Sequence, residues 1–226
     1  MNHTVKTNSF NTPVRILFYV FGFLIMTLGI AISVKSNLGV SPVSSIPYTM
    51  TCVIGLEMGL ATIVFHIALV LIQIILLRKD FEVKNLLQVP VGVLFGFFTT
   101  FCNSLMGFFP DPTSFTIRIL MMLASAFFIA FGIFLYVPAD LIPLAGEGTM
   151  LAVSKVSGIK FSTVKLCFDI SMVTISLVTC LLCLHKLGSV GIGTIVAAVL
   201  VGSMLKVITR CAGSTRDRIL KKEAMA

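Results

Sequence analysis

Glu147 stands between two glycines in A-G-E-G-T-M at 145–150, in a chain with only 9 acidic residues. A carboxylate among such small neighbours leaves room for a cation or a proton to reach it. His66 and Asp169 are the clearest ionisable groups inside apolar runs, F-H-I and F-D-I. At membrane depth such a group is costly unless paired or wetted, which makes it a functional candidate by default. Histidine titrates near pH 6.5, so a His66–Asp169 pair can relay a proton. Blander readings stand beside these. His66 can serve one interhelical hydrogen bond, and Asp169, four residues after Lys165, can be half of a surface ion pair. Gln73, Gln88 and Asn103 can line a cavity or simply join helices by hydrogen bonds. Ser44 and Ser45 are a further polar pair within an apolar stretch. There is no P-loop and no nucleophile elbow. The six cysteines include one CxxC, Cys180 and Cys183, without a second pair or nearby histidines. No metal, cofactor or enzymatic chemistry is therefore expected.

The elements that position these residues follow from composition. The chain has 226 residues, 57% of them hydrophobic and 12% charged, with a mean hydropathy of +1.06. A soluble domain carries about a quarter charged residues. An ordinary soluble enzyme is therefore excluded. Six apolar segments, near 14–34, 59–77, 86–109, 115–137, 166–184 and 189–207, are long enough to cross about 30 Å of hydrocarbon as helices. Only helices satisfy their own backbone there, so the expected fold is an all-α membrane protein in one transmembrane domain. The first run is near twenty residues, longer than a signal peptide's core, and reads as a retained anchor.

The net charge of +8 does not indicate nucleic acid, because the basic residues cap apolar runs instead of forming one stripe. Counted on alternate sides of six spans, 14 of the 17 Lys and Arg fall together, with Lys35, Arg118 and Lys186 opposite. The positive-inside rule then puts both termini in the cytoplasm, with a basic tail at 208–226.

Shifting the chain by 103 residues lays the first span on the fourth. Gly29 falls on Gly132, Leu38 on Leu141, Gly55 on Gly158 and His66 on Asp169. Farther on, Gly92 and Gly96 fall near Ala198 and Gly202, small-residue spacings that let helices approach closely. Two three-span repeats, at about 14–109 and 115–207, must enter the membrane in opposite directions. That inverted arrangement is common in transporters. After the first span of each repeat comes a Gly- and Pro-interrupted stretch, 35–58 and 138–165, opened by the polar residues Asn37 and Asp140. Such stretches read as broken or re-entrant helices that line a site, or as amphipathic helices on the membrane surface. In the first reading Asn37, Ser44, Ser45, Asp140 and Glu147 are the substrate-binding candidates. His66 and Asp169 are the coupling candidates, and Gly92, Gly96, Ala198 and Gly202 the packing positions.

The run S-V-K-S-N-L-G-V-S-P at 33–42, with G-E-G-T-M-L-A-V-S-K at 146–155 and R-K-D-F at 78–81, resembles the YczE/YyaS-type bacterial membrane proteins, more distantly the YitT type. In that group an acidic residue often follows S-P, where this chain has Val43-Ser44-Ser45. The resemblance implies a six-span inner-membrane protein with a suspected transport role, and no substrate. The sequence thus points to a secondary transporter of a small polar or charged solute. The alternatives are a substrate-binding subunit that needs an ATPase module, or an accessory membrane protein; a homodimer is compatible with each. The expected partners are the lipid bilayer and a small-molecule or ion substrate.

Overall fold

The computed structural model describes residues 12–221. They form eight α-helices: α1 (Thr12–Ser36), α2 (Pro42–Ile54), α3 (Met58–Leu77), α4 (Gln88–Gly107), α5 (Phe115–Tyr136), α6 (Ala145–Ser157), α7 (Phe161–Leu184) and α8 (Ile192–Lys221). No strand occurs among the described residues. Six helices, α1, α3, α4, α5, α7 and α8, are long and apolar enough to cross a membrane. Large side chains such as Leu71, Ile75, Phe97, Phe101 and Leu182 point outward from them. A girdle of that size is tolerated only against lipid. The remaining two, α2 and α6, have 13 residues each. At 1.5 Å per residue each reaches only about 20 Å, too short to cross.

The centre is α1 packed along α5. Gly22 lies against Tyr136 and Gly132, and a methyl group on Gly132 would sit 2.6 Å from the Gly22 carbonyl oxygen. Absent side chains let the backbones approach, and Ser125 seals the seam by donating to the Gly29 carbonyl at 2.7 Å. Around it a buried cluster gathers Tyr19, Phe23, Met26, Ile30, Phe95, Ile129 and Tyr136. The two helices run antiparallel, as their ends show. At one end Arg15 donates to the Ala139 and Asp140 carbonyls at 2.7 and 2.6 Å. At the other, Lys35 pairs with Asp111 at 2.6 Å. These are the Arg15 end and the Lys35 end.

The short helices start in the interior. The carbonyl of Ala145, first residue of α6, accepts from Gln73 of α3 at 3.1 Å. Farther along, Lys155 meets Asp80 at the Arg15 end. The opening turn of α2 is tied to the middle of α7, where the Ser45 hydroxyl lies 3.3 Å from the Met172 carbonyl. Farther along, Thr49 and Ser189 share a hydrogen bond of 2.6 Å. The two helices thus run to opposite ends, and their starts touch where Val43 packs over Gly146. Each ends on a left-handed glycine, Gly55 at φ 71° and Gly158 at φ 70°, a conformation that costs a Cβ-free residue nothing.

The last two helices depart from the expected boundaries. α7 begins at Phe161 and α8 runs on to Lys221. Residues 208–221, read from sequence as a tail, continue α8, so Lys206 and Arg210 lie within that helix. Nothing between 192 and 221 stops it, since the stretch contains no proline. Arg216 anchors it by stacking 4.5 Å over the Phe134 ring and donating to the Phe134 carbonyl at 3.1 Å. Lys6 and Lys222 fall outside the described residues.

Candidate functional site

The chain cannot stay helical between α5 and α6. Pro138 and Pro143 each lack a backbone donor, and Asp140 between them turns at φ 48° in the left-handed region. Leu144 is extended at φ −60°, ψ 151°, which delays the helix until Ala145 and leaves a cleft of about 230 Å³ beside its first turn. Tyr19 and Tyr136 form one wall, Asp140 stands near the mouth, and Glu147 projects from the first turn of α6. The Tyr19 hydroxyl donates to the Ile142 carbonyl at 2.5 Å, holding the extended segment against α1. The Tyr136 hydroxyl donates to Oε1 of Glu147. Glu147 is half-buried and forms no ion pair among the described residues. The partial positive charge of the helix start favours a carboxylate at this position.

A second cleft, of about 130 Å³, flanks the other side of α6. Asp80, Glu82 and Lys155 stand at it, and Gln73 and Gln88 form its floor. The two glutamines exchange hydrogen bonds at 2.9 and 3.2 Å while almost wholly buried. They rest directly on Gly148, where a methyl group would lie 2.6 Å from Gln88. Pro143 and Leu151 line both clefts. The first turns of α6 are therefore the partition between two polar spaces.

Of the substrate-binding candidates, the structure brings only Asp140 and Glu147 into one cleft, while Gln73 and Gln88 meet at the floor of the other. Asn37 lies exposed toward the Lys35 end, where its φ of 54° makes it a turn residue. Ser44 and Ser45 are buried at the start of α2. Ser45 is held by the Pro42 carbonyl at 2.6 Å and by Ser176 at 2.9 Å; Ser44 accepts from Ser41 at 3.0 Å. They belong to the packing of α2 against α7.

The expected His66–Asp169 pairing is not formed. His66 is sealed between α3 and α4, stacked on Phe95 at 5.6 Å and covered by Gly92, and its Nδ1 has no hydrogen-bond partner. Asp169 takes Lys165 at 3.1 Å as an i,i+4 pair. A shared offset along the sequence does not by itself put two residues in contact. Gly96 does receive a neighbouring helix, lying against Ile63 and the Gly59 backbone. Ala198 and Gly202 are exposed, and Gly202 has open space where a Cβ would stand. α8 uses Gly193 and Ala197 for its buried contacts instead.

Sequence reasoning passed over Tyr19, Tyr136 and Arg15. A signal was available for the tyrosines. The chain has 19 Phe and only 3 Tyr, and a phenol hydroxyl retained in a span must find a polar partner.

Fold and site together define a multi-pass helical membrane protein, with two short helices between its spans and an acidic cleft at the start of one of them. A family model described as a family of unknown function (DUF6198) matches residues 13–210. The chain belongs to that family. No curated protein matches it, and no solved structure does.

Proposed function

We propose that the protein is a secondary transporter, a permease that carries a small polar or charged solute across a bacterial inner membrane. Access alternates between two inverted three-span repeats, with Arg15's end cytoplasmic. The repeat is supported by element boundaries. Under the 103-residue shift, the first residues of α2 and α3 fall on those of α6 and α7. The left-handed Asn37 falls on Asp140, and Gly55 on Gly158. Packing exchanges in the same way, with α2 against α7 as α6 is against α3. Even interior hydrogen bonds correspond, since Gln73 reaches the start of α6 and Ser176, its counterpart, reaches the start of α2. Short helices that begin in the interior and run to opposite ends mark the binding region of many transporters.

The observation that carries the reading is the meeting of these two helix starts beside a carboxylate without an ion pair. Glu147 contacts the solute or its coupling ion. Coupling by a His66–Asp169 relay is not retained, because His66 is sealed against Phe95 between α3 and α4 while Asp169 pairs with Lys165. Purified protein screened by thermal stability against metabolites identifies the ligand, because stabilisation follows affinity by mass action. Reconstituted protein should then move that ligand, and Glu147→Gln should lower the flux at least about tenfold. Wild-type flux in that variant removes Glu147 from the mechanism.

One observation favours a second reading. α7 and α8 bury only 11% and 17% of their apolar windows, against 50% in α1. A substrate-binding subunit of an ATP-driven system would use such a face for its partner. Co-purification of an ATPase from native membranes decides for it.

A further inference from the structure

We infer that the cleft beside Glu147 takes a small organic cation carrying N–H donors, an alkylammonium or guanidinium group. This rests on the reading of that cleft as the solute site and names the class of solute. The argument is one of hydrogen-bond accounting. Both phenol protons at the cleft are already committed, Tyr19's to the Ile142 carbonyl and Tyr136's to Glu147. Their oxygens can therefore only accept from a ligand. Glu147 keeps its second carboxylate oxygen, also an acceptor, and Asp140 adds another carboxylate at the mouth. No Lys, Arg or His side chain lines the space.

The neighbouring cations are already engaged. Arg15 donates to the Ala139 and Asp140 carbonyls and lies 3.9 Å from the Asp140 carboxylate, so Glu147 is the carboxylate of the cleft that has no ion pair among the described residues. Lys165, whose field reaches Glu147, is bonded to Asp169 at 3.1 Å. A site whose side chains offer only acceptors, with the Glu147 carboxylate free of any such ion pair, favours an N–H-bearing cation over an anion. Tyr19 and Tyr136 are only 6% and 3% exposed. Little aromatic face is open to the cleft, which disfavours a quaternary ammonium that binds through cation–π contact. Val137, Leu141 and Leu151 supply apolar wall for a short carbon chain. The cleft's volume of about 230 Å³ leaves room for a small amine or guanidine.

The chain contains no Trp and 3 Tyr, two of which line the cleft, so tyrosine emission reports on it directly. Full-length protein in detergent is titrated with ethylammonium and methylguanidinium, and separately with tetramethylammonium, sodium and acetate, at constant potassium chloride. A saturable change with either N–H cation is expected, weakened about tenfold or more in Glu147→Gln and unchanged in Tyr48→Phe. If Glu147→Gln does not fold, Tyr19→Phe serves in its place and should shift affinity by a smaller factor. The inference is overturned by saturable binding of acetate, by equal response to tetramethylammonium or to sodium alone, or by no saturable response to either N–H cation. The underlying transport reading fails separately. Cation binding without flux in liposomes removes transport and leaves the site, whereas flux of an anionic solute keeps transport and removes the cation.

Discussion

At the start of α6 a carboxylate faces a cleft open toward the Arg15 end. At the same place on α2, Ser44 and Ser45 face protein. Both helices have 13 residues, both follow an extended segment after a left-handed polar residue, and both end on a left-handed glycine. The backbone frame is the same and the chemistry at its head differs. Around α2 the small hydroxyls of Ser45, Ser176, Thr49 and Ser189 close the space by bonding one another. Around α6 the large side chains Tyr19, Tyr136, Gln73 and Gln88 meet the helix, and clefts remain on both of its sides. In the proposed transport cycle these are the open and closed halves of one device.

The same contrast appears in the outer helices, and it gives the largest expected effect. α3 and α4 interlock through Gly59 and Gly96, whereas α8 turns Gly202 toward open space. Gly96→Leu should cost about 3 kcal/mol or prevent folding by forcing the backbones apart, while Gly202→Leu should stay within about 0.5 kcal/mol. Thermal melting of both variants in detergent checks this. Equal effects would mean that α8 packs in the membrane as α4 does.

A smaller difference is expected at the helix seats. Gln73→Leu strands a fully buried Gln88 and should lower stability by about 2–3 kcal/mol. Ser176→Ala at the matching place removes one neutral hydrogen bond, worth about 1 kcal/mol. If the order reverses in denaturant titrations, α2 and not α6 has the more firmly held start.

The smallest effect belongs to the ends. Lys35 holds the Asp111 carboxyl below the usual carboxylate range, chiefly by hydrogen bonding and then by charge. A depressed carboxyl stabilises the fold above the unfolded value of about 4 and loses that contribution as pH falls below it. Asp111→Asn should therefore flatten the acid limb of a stability–pH profile slightly, and only at low salt. A change at neutral pH in high salt would show that the pair does more than sit on the surface.

Much of the frame was legible because hydrocarbon leaves few options. Long apolar runs must be helices, and Gly and Pro interruptions cannot continue them, so the six spans and the two short helices could be read directly. Boundaries slipped where polar residues join a helix without a breaker, as at Phe161 and after Val207. The site was half legible. Glu147 drew attention as a scarce charge among glycines, but Tyr19 and Tyr136 look like ordinary members of aromatic spans until the fold turns their hydroxyls to one cleft. His66 and Asp169 misled because a shared sequence offset says nothing about distance. Ala198 and Gly202 misled because a small-residue spacing permits close packing without requiring it.

The central claim is that the α6 and α2 sides open in turn. Single cysteines at Ile142 and Ser44, each in a background with the six native cysteines replaced, can be probed in oriented vesicles with a membrane-impermeant thiol reagent. The account predicts that Ile142→Cys reacts from the Arg15 end. It also predicts that Ser44→Cys reacts from the Lys35 end, and that cross-linking α6 to α3 shut at Leu151 and Gln73 raises the rate at Ser44. A Ser44→Cys that stays unreactive from that end, with or without the cross-link, would contradict it.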